Sequence, residues 1–129
     1  MELDHDIDVI SEASDGYECL NLINKTHPDV VLLDINMPNL DGLQVLSIMK
    51  QQKMKSKVIM LTIHKDVDYL IEALDAGCDG YVLKDSDSET LKKAIFDVYN
   101  GETFIEPSLT VLLNSSLAER DVMKDKSVN

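Results

Sequence analysis

The sequence contains no tryptophan, two cysteines, three prolines and three histidines. Cys19 and Cys78 have no CxxC spacing, so we expect two reduced thiols in or near the core. The histidines are scattered without metal-ligand spacing, and we assign them no role. No apolar run approaches the ~20 residues of a membrane helix. The acidic start, MELDHDIDVI, differs from a secretory signal. We therefore expect a cytoplasmic protein that does not contact the membrane.

Basic residues are also scarce, because 12 lysines and arginines stand against 24 aspartates and glutamates, a net charge of −12. Such a charge repels nucleic acid and anionic membranes. We expect no direct nucleic-acid contact from this chain, and any DNA-binding surface would lie on another domain.

The length of 129 residues and the 44% hydrophobic content fit one domain with a real core. We assign residues 1–117 to that domain and 118–129 to a polar tail or the start of a linker.

Three short runs rich in Val, Ile and Leu predict β-strands: Asp29–Ile35, Lys57–Ile63 and Gly80–Lys84. None of them alternates cleanly with polar residues, which indicates strands covered on both faces, as in a parallel sheet. A weaker strand is predicted over Ile7–Ala13.

Apolar residues at helical spacing fill the segments between these strands. Asp15 and Glu18 have the spacing of a capping box and predict a helix start. The predicted helices run from Asp15 to about Thr26 and over Gly42–Gln52, Val67–Ala76, Leu91–Asn100 and Pro107–Leu117. This alternation predicts an open α/β sheet with helices on both faces. Functional groups in such folds gather at the carboxyl ends of the strands.

Three chemically different groups lie at those strand ends. Asp34 lies near the end of one strand, Thr62 near the end of the next, and Lys84 closes another. A carboxylate can be the nucleophile that forms an acyl phosphate, an ammonium pairs with a phosphoryl oxygen, and a hydroxyl donates a hydrogen bond. The combination therefore suits phosphoryl chemistry. The alternative left open by spacing alone is that Asp34 caps a loop and Lys84 merely pairs with it.

With these residues the chain resembles the receiver domain of two-component response regulators. The resemblance is carried by LLDINMPNLDG (Leu32–Gly42), by Thr62 and by GYVLKD (Gly80–Asp85). Asp85 in place of a frequent proline, together with FIEPSLTVLL (Phe104–Leu113), is similar to the NarL/FixJ subgroup. Members of that subgroup usually carry a LuxR-type helix-turn-helix after the receiver. The resemblance implies a flavodoxin-like fold and a parent protein that regulates transcription.

The resemblance also implies a role for each matching residue. Asp34 would accept a phosphoryl group from the phosphohistidine of a histidine kinase, and Lys84 would hold it. Thr62 would be the switch hydroxyl, and Tyr81 the switch aromatic that turns inward behind it. Asn36 would offer its backbone carbonyl to Mg²⁺, for which Asp34 is the carboxylate ligand.

Other residues match the family's loop and its contact surface. Met37, Pro38, Asp41 and Gly42 match the loop, in which Pro38 stiffens the turn and Asp41-Gly42 opens the next helix. Receivers usually pair or meet partners through the face that corresponds to residues 67–100 here. The resemblance therefore implies a homodimer through that face.

The start of the chain departs from the family pattern. A receiver begins with an apolar strand that ends in an acidic pair, followed by a helix, whereas MELDHDIDVISEAS matches the end of that helix and the second strand. We therefore expect an N-terminally truncated receiver without the acidic pair, with weak Mg²⁺ binding at Asp34. Either Ile7–Ala13 shifts to pair with Asp29–Ile35, or a second chain completes the sheet, or an upstream segment exists.

The function that we expect is a phosphoacceptor module, not an enzyme beyond its own phosphorylation and slow dephosphorylation. The main alternative is a degenerate receiver that is never phosphorylated and acts as a protein-binding module. A third reading, a metal-dependent phosphatase or other hydrolase with Asp34 as nucleophile, needs further acidic residues at strand ends, and we find none.

Overall fold

The computed structural model describes residues 7–8 and 13–115. The helices are α1 (Gly16–Thr26), α2 (Gly42–Gln51), α3 (Val67–Asp75) and α4 (Ser88–Tyr99). The strands are β1 (Val30–Asp34), β2 (Lys57–Thr62), β3 (Gly80–Leu83) and β4 (Phe104–Ile105). Residues 107–115 form a further helix, the Pro107 helix.

The strands form one parallel sheet in the order β1-β2-β3-β4. The register places Asp34 beside Leu61, and Thr62 beside Leu83. Because all the strands point the same way, their carboxyl ends meet at one edge of the sheet. The predicted open parallel α/β sheet is confirmed.

Both faces of the sheet are covered by helices. On one face, Leu33, Met60 and Tyr81 belong to the main core cluster, to which α1, α2, α3 and the Pro107 helix contribute. On the other face, Ile59 and Val82 pack with residues of α4. Burial on both faces explains why β2 and β3 are continuous apolar runs without polar alternation, whereas β1 is buried mainly on one face.

The boundaries of several elements differ from the predicted ones. Helix α4 begins at Ser88, before the predicted Leu91, because Asp87 caps it there. The prediction missed this start because the first turn is polar and has no apolar residue at helical spacing. Strand β4 was not predicted, because two residues are too short for a periodic pattern. Residues 9–12 of the predicted strand Ile7–Ala13 lie outside the described residues. So do the last two residues of the predicted helix Pro107–Leu117 and the tail from residue 118.

The predicted capping box at the start of α1 is only half formed. The Asp15 side chain accepts from the backbone N–H of Glu18 at 2.9 Å, as predicted. The Glu18 carboxylate, however, accepts from the Ser14 hydroxyl at 2.6 Å and from the Ser14 N–H at 3.3 Å. A complete capping box, with both reciprocal bonds, opens α2 between Asp41 and Gln44.

The outer edge of β1 has no partner strand within the described ranges 7–8 and 13–115. A groove of about 900 Å³ runs along this strand and is also lined by residues of α1 and α4. Leu32 in β1 is 36% exposed there. An unpaired apolar edge of this kind is a surface on which another strand can add. The three alternatives for completing the sheet stay predictions.

Among the described helices, none has the length and apolar character needed to cross a bilayer.

Candidate functional site

The three groups predicted at strand ends lie at the carboxyl edge of the sheet. The Lys84 ammonium forms an ion pair with Asp34 Oδ2. The side chains are 30% exposed for Asp34 and 38% for Lys84, so both can be reached from solvent. The backbone N–H of Lys84 donates to the carbonyl of Thr62 at 2.8 Å, which ties the start of the turn after β3 to the end of β2.

Backbone contacts of the following loop fix the position of Asp34. Its Oδ1 accepts from the N–H of Asn36 at 2.9 Å, so the carboxylate folds over the start of the loop. The N–H of Gly42 donates to the Ile35 carbonyl at 3.0 Å and closes the loop against the strand. A Cβ on Gly42 would lie 2.4 Å from the Asp34 carbonyl oxygen. Glycine is therefore needed at this close approach of two backbone segments.

Thr62 is fully buried, and its hydroxyl accepts from the backbone N–H of His64 at 2.9 Å. The His64 ring stacks on Tyr69 of α3, with centroids 4.1 Å apart and an interplanar angle of 17°. His64 Nε2 also lies 3.3 Å from Asn36 Nδ2, a hydrogen bond in which the amide donates to the unprotonated nitrogen. Sequence reasoning assigned no role to His64. The available signal was its place two residues after Thr62, at the same sheet edge.

Tyr81 is fully buried in β3, with its ring in the main core cluster. Its hydroxyl makes no hydrogen bond to any residue that the structure describes. Burial raises the pKa of Tyr81 to about 12, while the Thr62 side chain acts on that pKa in the opposite direction. The phenol is therefore neutral at physiological pH. Within the ranges 7–8 and 13–115, its buried hydroxyl lacks the partner that such groups normally have.

Tyr81→Phe tests whether that hydroxyl contributes to stability. Removing a buried polar atom without a partner relieves a desolvation cost, so we expect the free energy of unfolding to be unchanged or to rise by about 1 kcal/mol. Urea unfolding followed by circular dichroism measures this. A loss of about 1 kcal/mol or more would mean that the hydroxyl has a partner, with Thr62 as the first candidate.

The donors at this edge fit a weakly held Mg²⁺. Asp34 supplies one carboxylate, and the resemblance to receivers implies that Asn36 would offer its backbone carbonyl. Within the described part of the chain, no group of three His, Cys, Asp or Glu residues could hold a metal ion. Magnesium in phosphoryl-transfer sites keeps several waters and is held by one or two carboxylates and the phosphate itself. One carboxylate and a carbonyl match the lower end of that range.

Comparison with known proteins matches this chain to response regulators. The sequence matches the response regulator receiver domain family over residues 1–96. It is 33% identical over 124 residues to the nitrate/nitrite response regulator protein NarL of Escherichia coli K12, covering 96% of this chain and 57% of that protein. The chain spans about half the length of the curated relatives that it matches.

Solved structures of receivers have the same fold. The signal receiver domain of the putative response regulator NarL from Mycobacterium tuberculosis superposes with a TM-score of 0.75 at 35% identity, over 78% of this chain and 81% of that one. The isolated receiver domain of RcsB from Salmonella enterica serovar Typhimurium, solved with the phosphomimetic BeF₃⁻, gives 0.69 at 27% identity. That match covers 76% of this chain and 73% of the other.

Proposed function

Because this chain belongs to the family of response regulator receiver domains, in the NarL/FixJ subgroup, we propose that it is a switch module phosphorylated on Asp34 by a histidine kinase. The observation that carries the proposal is the pairing of a solvent-accessible carboxylate, Asp34, with the ammonium of Lys84 at the carboxyl edge of a parallel sheet. A carboxylate can attack phosphorus, and an ammonium beside it can pair with a phosphoryl oxygen, so this pairing supports the proposal.

The transfer step follows from these two groups. An Asp34 oxygen attacks the phosphorus of a phosphohistidine, the P–N bond breaks, and its electron pair returns to the imidazole nitrogen. The product is an acyl phosphate on Asp34. The Lys84 ammonium then pairs with a phosphoryl oxygen, and positioning and charge stabilisation supply most of the catalysis in such transfers. Mg²⁺, held by Asp34 and the Asn36 carbonyl, would neutralise phosphoryl charge when bound.

Thr62 is the residue through which we propose that the phosphoryl group acts on the core. Its oxygen accepts from His64, so its proton remains available to donate to a phosphoryl oxygen. Movement of Thr62 would change the space next to the buried Tyr81, and movement of His64 would disturb its stack on Tyr69 of α3. We propose that the switch passes from Asp34 to α3 along this route.

The proposal is tested directly with the wild-type chain. After incubation with Mg²⁺ and acetyl phosphate, intact mass spectrometry should show a gain of one phosphoryl group. The gain should survive acid and disappear in mild base, because an acyl phosphate is acid-stable and base-labile. No gain, or a base-stable gain, would contradict phosphorylation of a carboxylate.

Lys84→Gln should slow phosphorylation roughly tenfold, because a charge-assisted contact to the phosphoryl group is lost at a partly exposed position. Lys65→Gln is the matched control, because Lys65 is an exposed lysine that pairs with Asp85 at 3.7 Å. The time course of the mass gain measures both rates. Equal rates for the two variants would remove Lys84 from the phosphoryl site.

A receiver that is never phosphorylated and acts as a binding module is the second candidate. It is favoured by the lack of a three-ligand metal cluster among the described residues. The acetyl phosphate experiment separates the two candidates, because a degenerate receiver gains no mass. Because the chain spans about half the length of its relatives, regulation of transcription by the parent protein is also a proposal, as is a location in the cytoplasm.

We also propose that the chain forms homodimers, either through the 67–100 face or by strand addition at the open edge of β1. The second route is supported by the groove along β1 and by the exposed part of Leu32. Light scattering coupled to size exclusion should show a dimer in the wild type. Leu32→Lys should return it to a monomer if the edge pairs and leave it dimeric if the 67–100 face pairs. A wild type that is monomeric with and without acetyl phosphate would contradict both routes.

A further inference from the structure

Glu106 connects two parts of the molecule that sequence reasoning treated separately. It lies between β4 and the Pro107 helix and is partly buried. Its Oε1 accepts from the Ser86 hydroxyl at 2.7 Å, and its Oε2 accepts from the N–H of Leu83 at 3.3 Å. Its own N–H donates to the carbonyl of Tyr81 at 2.9 Å. One residue therefore makes three hydrogen bonds to β3 and the turn that follows it.

The turn that Glu106 holds carries Lys84. The N–H of Ser86 donates to the Leu83 carbonyl at 3.1 Å and closes the turn around Lys84. The Glu106 carboxylate bonds to both ends of this turn, at Leu83 and at Ser86. Residues 83–86 are called the Lys84 turn below. Glu106 bonds to both ends of this turn, while the Lys84 side chain pairs with Asp34.

Glu106 also begins the Pro107 helix. Its carbonyl accepts from the N–H groups of Leu109 at 2.9 Å and Thr110 at 3.1 Å, the first bonds of that helix. The helix buries Leu109 and Leu113 against the main core, whereas Val111 and Leu112 are exposed. The polar attachment at Glu106 and the apolar contacts of two leucines together hold this short helix in place.

We propose that Glu106 is a positioning residue that couples the Lys84 turn to the docking of the Pro107 helix. This inference rests on the proposed function. A phosphoryl group on Asp34 adds charge and length between Asp34 and Lys84, so the Lys84 turn must shift. The shift weakens the two bonds from the turn to the Glu106 carboxylate, and the helix loosens. Because coupling between two sites is reciprocal, the state of the helix also affects the phosphoryl site.

Hydrogen–deuterium exchange on the full chain tests the first half of this coupling. In unphosphorylated Glu106→Gln, amides of residues 109–113 should exchange roughly tenfold faster than in the wild type, because charge-assisted bonds are lost. Ser86→Ala, which removes one of the two bonds, should give a smaller increase. Glu102→Gln is the matched control, because Glu102 is an exposed carboxylate in the same segment. If amide exchange of residues 109–113 is unchanged in Glu106→Gln, or if exchange in β2 rises equally, Glu106 does not hold the Pro107 helix in place.

The second half is tested after acetyl phosphate treatment, with the phosphorylated fraction of each sample fixed by intact mass. Phosphorylation should speed exchange in the Pro107 helix of the wild type and of Glu102→Gln, and should add nothing in Glu106→Gln. The same increment in all three proteins would overturn the coupling. If no sample gains mass, the phosphoacceptor proposal fails and the coupling fails with it. Whether Glu106 holds the Pro107 helix is then decided by the exchange rates of the unphosphorylated samples alone.

Discussion

Asp34→Asn should abolish the mass gain that the wild-type chain shows with Mg²⁺ and acetyl phosphate. The amide keeps the shape of the side chain, but it has no carboxylate oxygen able to attack phosphorus and form an acyl phosphate. It also removes the negative charge that Lys84 faces, so Lys84 loses the partner of its ion pair. We expect complete loss, since no weaker nucleophile replaces the carboxylate.

Asp85→Asn is the control for this experiment. Asp85 is an exposed aspartate next to Lys84 that pairs with Lys65 at 3.7 Å. It matches Asp34 in charge, but its carboxylate pairs with Lys65, whereas that of Asp34 pairs with the Lys84 ammonium. The variant should gain mass as the wild type does. A gain that persists in Asp34→Asn would show that another residue is the acceptor.

Gly42→Ala should lower the free energy of unfolding by about 2–3 kcal/mol, although alanine favours helices. An added Cβ would lie 2.4 Å from the Asp34 carbonyl oxygen and 2.9 Å from Asp34 C and Ile35 Cα. All three are backbone atoms, so they cannot move aside as a flexible side chain would. The loop from Ile35 to Gly42 must open, which also displaces the Asp34 carboxylate.

Urea unfolding of Gly42→Ala beside Ser47→Ala measures this effect. Ser47 is an exposed residue of the same helix, α2, and its replacement by alanine should change stability by less than about 0.5 kcal/mol. Gly42→Ala should in addition phosphorylate more slowly, because Asp34 shifts with the loop. Wild-type stability in Gly42→Ala would mean that the loop is not packed on the strand as closely as described.

The sheet and its strand-end groups could be predicted because a parallel sheet imposes them. Apolar runs without alternation indicate strands buried on both faces, and the carboxyl ends of parallel strands share one edge. Asp34, Thr62 and Lys84 follow from that geometry alone. Their shared position at one edge could be anticipated in this way, and the structure shows an ion pair between the side chains of Asp34 and Lys84.

The contacts of His64, Glu106 and Glu18 could not be predicted in the same way. His64 gains its place from a stack on Tyr69 and a contact with Asn36, and Glu106 bonds to Ser86 across 20 residues of sequence. Such contacts depend on the three-dimensional path of loops, which periodicity does not encode. Glu18 had the spacing of a capping box, but the Ser14 hydroxyl competed for its carboxylate.

The measurement that tests phosphorylation of Asp34 most directly is chemical trapping of the modified residue. Borohydride reduces an acyl phosphate to an alcohol, so a phosphorylated aspartate becomes homoserine. Tandem mass spectrometry of the treated wild-type chain should find homoserine in place of Asp34, in proportion to the phosphorylated fraction seen by intact mass. Homoserine at another aspartate, or a phosphorylated chain in which Asp34 is unreduced, would contradict the phosphoacceptor role of Asp34.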